Sequence, residues 1–442
     1  MSPTFRSLSN RNYRLYASGA VVSNVGTWMQ RVAQDWLVLQ LTHNNGTALG
    51  ITTGLQFLPI LLLSPYAGLV ADRFPKRRLL QVTQLMLAIP ALVLGLLAVT
   101  DVAQSWMVYL VAFVFGIGSA FDAPARQSFV SEIVGPEDLT NAVGLNSASF
   151  NLARMIGPAV AGLMIAGFGG GVPATGVVIL VNAVSYGAVI LSLQRMRERD
   201  LNPAKPTVRH KGMIRDGVRY TTARPDLMLI LTIVFFAGTF GLNFQLTSAL
   251  MATEVFHKGA GEYGILGTTL AIGSLTGALL AARRSVIRHR LVILAAVVFG
   301  LAEIVAGLLP SYLTFALWTP VIGIASLTMI TSANATFQMS VAPAMRGRVM
   351  ALYMMIFMGG TPIGSPIVGW VGETFGARWT LVGGGVATLA GTLLAVVIFS
   401  RAKGLIGHAH EVPEVAPEPE PAPADVVMAR SAPDRRAPTL GT

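Results

Sequence analysis

Arg31 and Asp35 lie four residues apart inside a long apolar run, Arg154 lies inside a second and Glu303 inside a third. An ionised group in hydrocarbon costs at least about 2.5 kcal/mol on insertion scales, so each is a candidate for binding or for moving a proton. Arg31 and Asp35 fall on one helix face and can pair with each other. Arg154 is the deepest cation, roughly 18 Å into its helix if that helix begins at Ala142, and it calls for an acid or several carbonyls. Glu303 is the only carboxylate well inside an apolar run of the second half. A fixed buried pair and a transport role both stay open for these groups, because an apolar bundle must neutralise any charge it keeps. A carboxylate can be neutral in one state and charged in another, whereas a guanidinium keeps its proton. All six His fall in loops or the tail, which leaves carboxylates to do any protonation work. Asp35 ranks ahead of Glu303, with Arg31 one turn away to stabilise its charged form, and Asp122 ranks third.

Neutral polar residues accompany the charges. Asn24, Trp28, Gln30 and Gln34 surround Arg31; Asn146 and Asn151 precede Arg154; Asn243, Gln245 and Thr247 stand together in the second half. Such amides either bond a ligand or tie helices together. The 18 Met and 20 Phe suit an adaptable apolar cavity.

The elements that must position these residues are membrane helices. Only 12% of the 442 residues are charged and 53% are hydrophobic, far from the roughly 25% charged fraction of soluble domains. Apolar stretches of span length recur along the whole chain. They fall near 14–40, 47–70, 79–100, 105–125, 142–166, 174–194, 227–252, 261–282, 291–309, 312–335, 347–372 and 379–400. The expected fold is an all-α polytopic membrane protein with twelve helices in two six-helix bundles, residues 1–194 and 226–400. Residues 195–225 read as a polar linker, and 401–442, rich in Pro and Glu, as a disordered tail.

Lys and Arg gather on one side: Arg6, Arg11 and Arg14, then Arg73, Lys76, Arg77 and Arg78, then the clusters from Arg195 to Arg224 and from Arg283 to Arg290, then Arg346 and Arg348. The opposite loops hold Lys258 and Arg378. Both termini are therefore expected in the cytoplasm, in a bacterial inner membrane. Arg6, Arg11 and Arg14 lead into a full-length span, which argues against a cleaved signal peptide. The net charge of +11 is explained by topology, and no nucleic-acid-binding module is visible. With no Cys, disulfides, thiolate metal sites and iron–sulfur clusters are excluded. No cofactor is called for; the expected partners are the lipid bilayer and a small-molecule substrate, with the chain acting as a monomer.

The halves echo each other. Gly68, opening GLVADRFPKRR, has a counterpart 209 residues later in Gly277, and Pro158 in IGPAVAG has one 208 residues later in Pro366. Nearly equal offsets in the same order argue duplication, one of the known transporter plans.

The pattern Gly68, three residues, Asp72-Arg73, two residues, Lys76-Arg77 resembles the signature between spans 2 and 3 of the major facilitator superfamily. Pro75 stands where that family usually has Gly, and Ala281 replaces the acid in the second copy. The resemblance implies that Asp72 and Arg73 contact the opposite half and latch one access state, with Asp122 trading partners with Arg73; a plain helix-end acid is the alternative for Asp122. In span 5, Gly144, eight residues, Ala153, three residues, Gly157-Pro158, two residues, Ala161-Gly162 resembles the signature of the superfamily's exporters, with Arg154 inside it. The span 4 Arg linked to proton coupling in many drug antiporters is absent, its position being Ala112. Longer stretches, NVGTWMQRVAQDWLVLQLT among them, resemble the bacterial subgroup that contains enterobactin exporters and drug and macrolide efflux proteins. The resemblance implies a secondary exporter of a small amphipathic molecule, driven by a proton gradient. Its nearest rival is an importer of the same fold. A channel is a more distant one, and no phosphate loop, HExxH or nucleophile motif supports an enzyme.

Overall fold

The computed structural model describes residues 3–202, 213–282 and 289–399, and within them the chain is helix and short turn without a strand. The first half holds α1 (Arg11–Leu41), α2 (Gly46–Arg73), α3 (Lys76–Val99), α4 (Ser105–Ile133), α5 (Pro136–Gly167) and α6 (Val172–Gln194). After the short α7 (Met213–Thr222), the second half holds α8 (Pro225–Phe236), α9 (Phe244–Leu250), α10 (Ala260–Ala282), α11 (His289–Leu308), α12 (Tyr312–Met339), α13 (Pro343–Phe375) and α14 (Ala377–Phe399). The centre of the expected linker, the basic residues at 283–288 and the tail after residue 399 lie outside the described residues.

Local chemistry sets the helix ends. The Asn10 and Asn45 side chains accept from the backbone of Tyr13 and Ala48, and Ser311 and Thr314 form a capping box, each satisfying a donor that the first turn leaves open. His43 and Asn44 take left-handed backbone at φ 53° and 63° to turn α1 into α2. Several helices overshoot the apolar runs. α5 starts at Pro136 and α13 runs from 343 to 375, because polar flanks continue the helical hydrogen bonding after the hydropathy has ended.

Eleven segments of the described residues are long and apolar enough to cross a membrane, with Pro225–Val255 counted as one. α1 is a helix of 31 residues but not one of the eleven, since Asn24, Gln30, Arg31, Gln34, Asp35 and other polar residues dilute its hydrocarbon. The expected twelfth span is therefore the helix that carries the chemistry. The segment expected as a continuous helix over 227–252 is instead broken. π-helical turns at Ala237–Gly241 and Met251–Val255 flank α9, and such turns recur at functional sites. α13 presses on the first of them, as Gly360 and Gly364 leave room for Thr239 and no side chain. Asn243 seals the break by donating to the Thr239 carbonyl at 2.8 Å and accepting from Ser365 Oγ at 2.7 Å.

Within the halves α1 packs on α5 and α6, α2 and α3 on α4, α10 and α11 on α12, and α14 on α8 and α11. Between them α2 lies along α13 and α5 along α10. Both seams are built on glycine. A Cβ at Gly54 would stand 3.2 Å from the Pro366 ring, and one at Gly267 would stand 2.9 Å from Pro158. A Cβ at Gly50, Gly162 or Gly264 would collide with a backbone carbonyl of the facing helix. Small residues let membrane helices reach backbone contact, where dispersion and Cα–H contacts replace the absent hydrophobic drive. Pro158 and Pro366, the pair related by the internal repeat, thus meet glycines of the opposite half in swapped roles.

α1, α3 and α5 begin at the end of the molecule that carries most Lys and Arg, the basic end. α2, α4 and α6 begin at the far end. The seam contacts run from Gly46 against Gly369 at the far end to Leu61 against Gly359 near mid-depth. One turn further toward the basic end, Ser64 of α2 and Met355 of α13 are exposed. The glycine contacts between α2 and α13 thus lie from the far end to mid-depth.

Candidate functional site

α1 carries the polar core of the molecule. Asp35 is 6% exposed, and its Oδ2 accepts from the Tyr263 hydroxyl of α10 at 3.0 Å. Trp36 stacks on the same Tyr263 ring, centroids 6.1 Å apart. Asp35 is therefore held by the opposite half. Arg31, four residues away, forms no ion pair with it, contrary to the pairing that their spacing suggests, though the two charges still attract. The far end has a second cross-half bond. Glu373 of α13 accepts from Asn45 Nδ2 at 2.8 Å and from the Thr47 backbone N–H at 3.2 Å, placing a carboxylate at the positive N-terminus of α2.

Arg31 turns instead toward aromatic rings. Its Cζ stands 4.7 Å from the Trp28 centroid and 5.9 Å from that of Phe57, and Arg154 Cζ stands 5.6 Å from the Trp28 centroid on α5's side. Two guanidinium groups thus share one indole, which Phe150 braces edge-on at 5.7 Å. Gly157 makes this approach feasible, since a Cβ there would lie 2.5 Å from the Trp28 Cβ. Among the described residues neither arginine has an acid or a carbonyl, and Arg31 Nε is buried without a hydrogen-bond partner. This corrects the expectation that Arg154 rests on an acid or carbonyls. A cation–π contact returns about 0.5–2 kcal/mol, whereas withdrawing a cation from water costs several, so the aromatic ring alone does not balance either charge.

Glu303 of α11 lies in the second half only. It is 2% exposed and its Oε2 has no hydrogen-bond partner. A Cβ at Gly241, in the first π turn, would stand 2.9 Å from both this oxygen and Thr388 Oγ1. Among the described residues no cation stands within ion-pair distance of it.

The residues between α2 and α3 stand at the basic end. Asp72 is half-buried and engaged, and Arg73 is exposed. Lys76 forms a buried 2.8 Å ion pair with Glu132 of α4. Arg77 caps α6 by donating to the Leu193 and Gln194 carbonyls at 2.6 and 3.0 Å, and it also pairs with Glu198. Asp122 accepts from Thr83 and Gln84 at 2.9 and 2.7 Å and from Arg126 Nε at 2.9 Å. Its contacts are with α3 and its own helix, so the Asp122–Arg73 pair is not formed in this state. Gly68 is half-buried on α2.

The remaining candidates divide. Asn243 is committed to helix packing. Gln245 is half-buried near Tyr263, whose hydroxyl lies 3.4 Å from the Gln245 carbonyl. Asn146, with Tyr13, Ser18 and Ser149, lines a groove of about 320 Å³ between α1 and α5; Asn24 reaches Ser149 at 3.5 Å, a weak bond at best. Gly144 is exposed with open space around it, while Gly157, Pro158 and Gly162 pack against α1 and α10. Reading the sequence missed Tyr263, Glu373, Glu132 and Phe57. Only Tyr263 left a signal, a phenol in the first turn of an apolar run where an intramembrane acid needs a donor.

A family model described as transmembrane secretion effector matches residues 2–427. The staphyloferrin A transporter of Staphylococcus aureus (strain NCTC 8325 / PS 47) is 25% identical over 395 residues, covering 88% of this chain and 97% of its own. Macrolide efflux protein A of Streptococcus pyogenes is 25% identical over 390 residues, 84% and 92% of the two chains. Among solved structures, a bacterial homolog of the human lysosomal transporter Spinster, inward-facing and occupied, superposes with a TM-score of 0.69 at 18% identity, covering 88% of this chain and 98% of that one.

Proposed function

The chain belongs to the transmembrane secretion effector family of the major facilitator superfamily, and from that premise we propose that it exports a small amphipathic molecule by proton-coupled antiport. It is a multi-pass membrane transporter and not an enzyme. The relatives named for macrolide efflux and for staphyloferrin A transport support the outward direction and a drug- or siderophore-type cargo. The Lys and Arg asymmetry supports a cytoplasmic basic end with both termini inside, and so a conformation open to the cytoplasm, poised to load cargo.

The observation that carries this reading is the pair of glycine–proline seams closing the far end over a polar, arginine-bearing core. Rocking the halves about these seams opens the core to one side at a time. Asp35 supports proton coupling, because its partner Tyr263 belongs to the other half and the bond must break when the far end opens. The test is everted membrane vesicles with an imposed proton gradient, offered siderophores, macrolides and dyes. Gradient-dependent accumulation of a cargo is expected; facilitated equilibration without accumulation would overturn coupled export.

A further inference from the structure

We propose that Arg31, Arg154 and Trp28 form the cargo-binding site, and that the cargo is an organic anion: a flat apolar body bearing a carboxylate or a similar oxyanion. This rests on the exporter reading and names its substrate class. Arg31 comes from α1 and Arg154 from α5, and both guanidinium carbons stand over the same indole at 4.7 and 5.6 Å. No acid pairs with either among the described residues, and Arg31 Nε is buried without a partner. Asp35, one turn from Arg31, takes its hydrogen bond from Tyr263 and forms no ion pair with either arginine, so at most one acid faces two cations. Two like charges gathered at one ring are short of a counter-anion, and neither can discharge by losing a proton.

Both residues are half-buried, Arg31 beside Phe57 of α2, so a ligand reaching them from the basic end supplies what the protein leaves out. Guanidinium forks match carboxylate and phosphate oxygens two at a time. Trp28, Phe57 and Phe150 provide the apolar walls for the body of the molecule. Gly157 is then a specificity device, since a side chain there would push α5, and Arg154 with it, away from Trp28.

The experiment is fluorescence polarisation with the purified full chain in neutral detergent, using carboxyfluorescein as the anionic probe and rhodamine 123 as the cationic one. Carboxyfluorescein should bind. Arg31→Gln and Arg154→Gln should each weaken it by about tenfold or more, and the Lys variants by less, with all variants eluting as monodisperse protein. Binding unchanged within about twofold in both Gln variants, or rhodamine 123 binding as tightly as the anion, would overturn the site. Displacement by phosphatidylglycerol and not by soluble phthalate would overturn the cargo assignment in favour of a lipid headgroup. Vesicles that pump a cationic dye at the wild-type rate in Arg31→Gln would overturn the anion site and leave the exporter standing. Arginine-dependent binding with no transport of any compound would overturn the exporter and support the site.

Discussion

Asp35 and Glu303 are both buried carboxylates, yet only Asp35 touches the other half of the molecule. Glu303 sees Gly241, Gly384 and Thr388, all of its own half, so rocking leaves its surroundings largely unchanged. Asp35→Asn should therefore lose gradient-driven efflux and keep cargo exchange, whereas Glu303→Gln should keep both; equal pumping by both variants would remove Asp35 from the coupling path. Tyr263→Phe should reproduce part of the Asp35→Asn defect, because the acid loses its donor. The residue types of this site were legible in the sequence, and their partners were not. Spacing along α1 put Arg31 next to Asp35, but the acid's donor stands 228 residues away and the arginine's ring is one turn behind it. Helical periodicity orders neighbours on one helix and is silent about what a second helix brings to the same face.

Helices α2 and α13, and α5 and α10, meet backbone to backbone, so the seams tolerate no added volume. Overpacking costs about 1–3 kcal/mol, which moves a two-state equilibrium roughly five- to 150-fold. Gly50→Ala should thus disfavour the closed far end: a Cys at Phe57 should become more reactive from that side and transport should fall, while Gly144→Ala, with nothing around it, should leave both unchanged. A lack of change in Gly50→Ala labelling would mean that the seam yields elsewhere. At the basic end, Lys76→Ala should reduce the folded protein, because it removes a buried ion-pair partner of Glu132; Arg73→Ala, at an exposed position, should not. The span pattern was readable from hydropathy alone. The break at 237–243 was not, because its cause is Gly360 and Gly364 on another helix.

Over the whole molecule, charge asymmetry gives the orientation a simple check. The chain has no Cys, so single introduced thiols report cleanly. An impermeant maleimide should label Lys258→Cys and Gln104→Cys in intact cells and spare Gly135→Cys, an exposed helix cap with open space around it; the reverse pattern would invert the topology. The closed far end also has an electrical meaning. Where the basic end is cytoplasmic and open to water, the membrane voltage falls mainly across the seam between Gly46 and Leu61. Asp35 lies within that drop. Moving one elementary charge through the full field is worth about 2.3 kcal/mol per 100 mV, so proton delivery to Asp35 should be voltage-dependent and turnover electrogenic unless the cargo cancels the charge. Collapsing the potential with valinomycin and potassium at fixed pH gradient should then slow efflux, and a solid-supported membrane should record a transient current that is missing in Asp35→Asn.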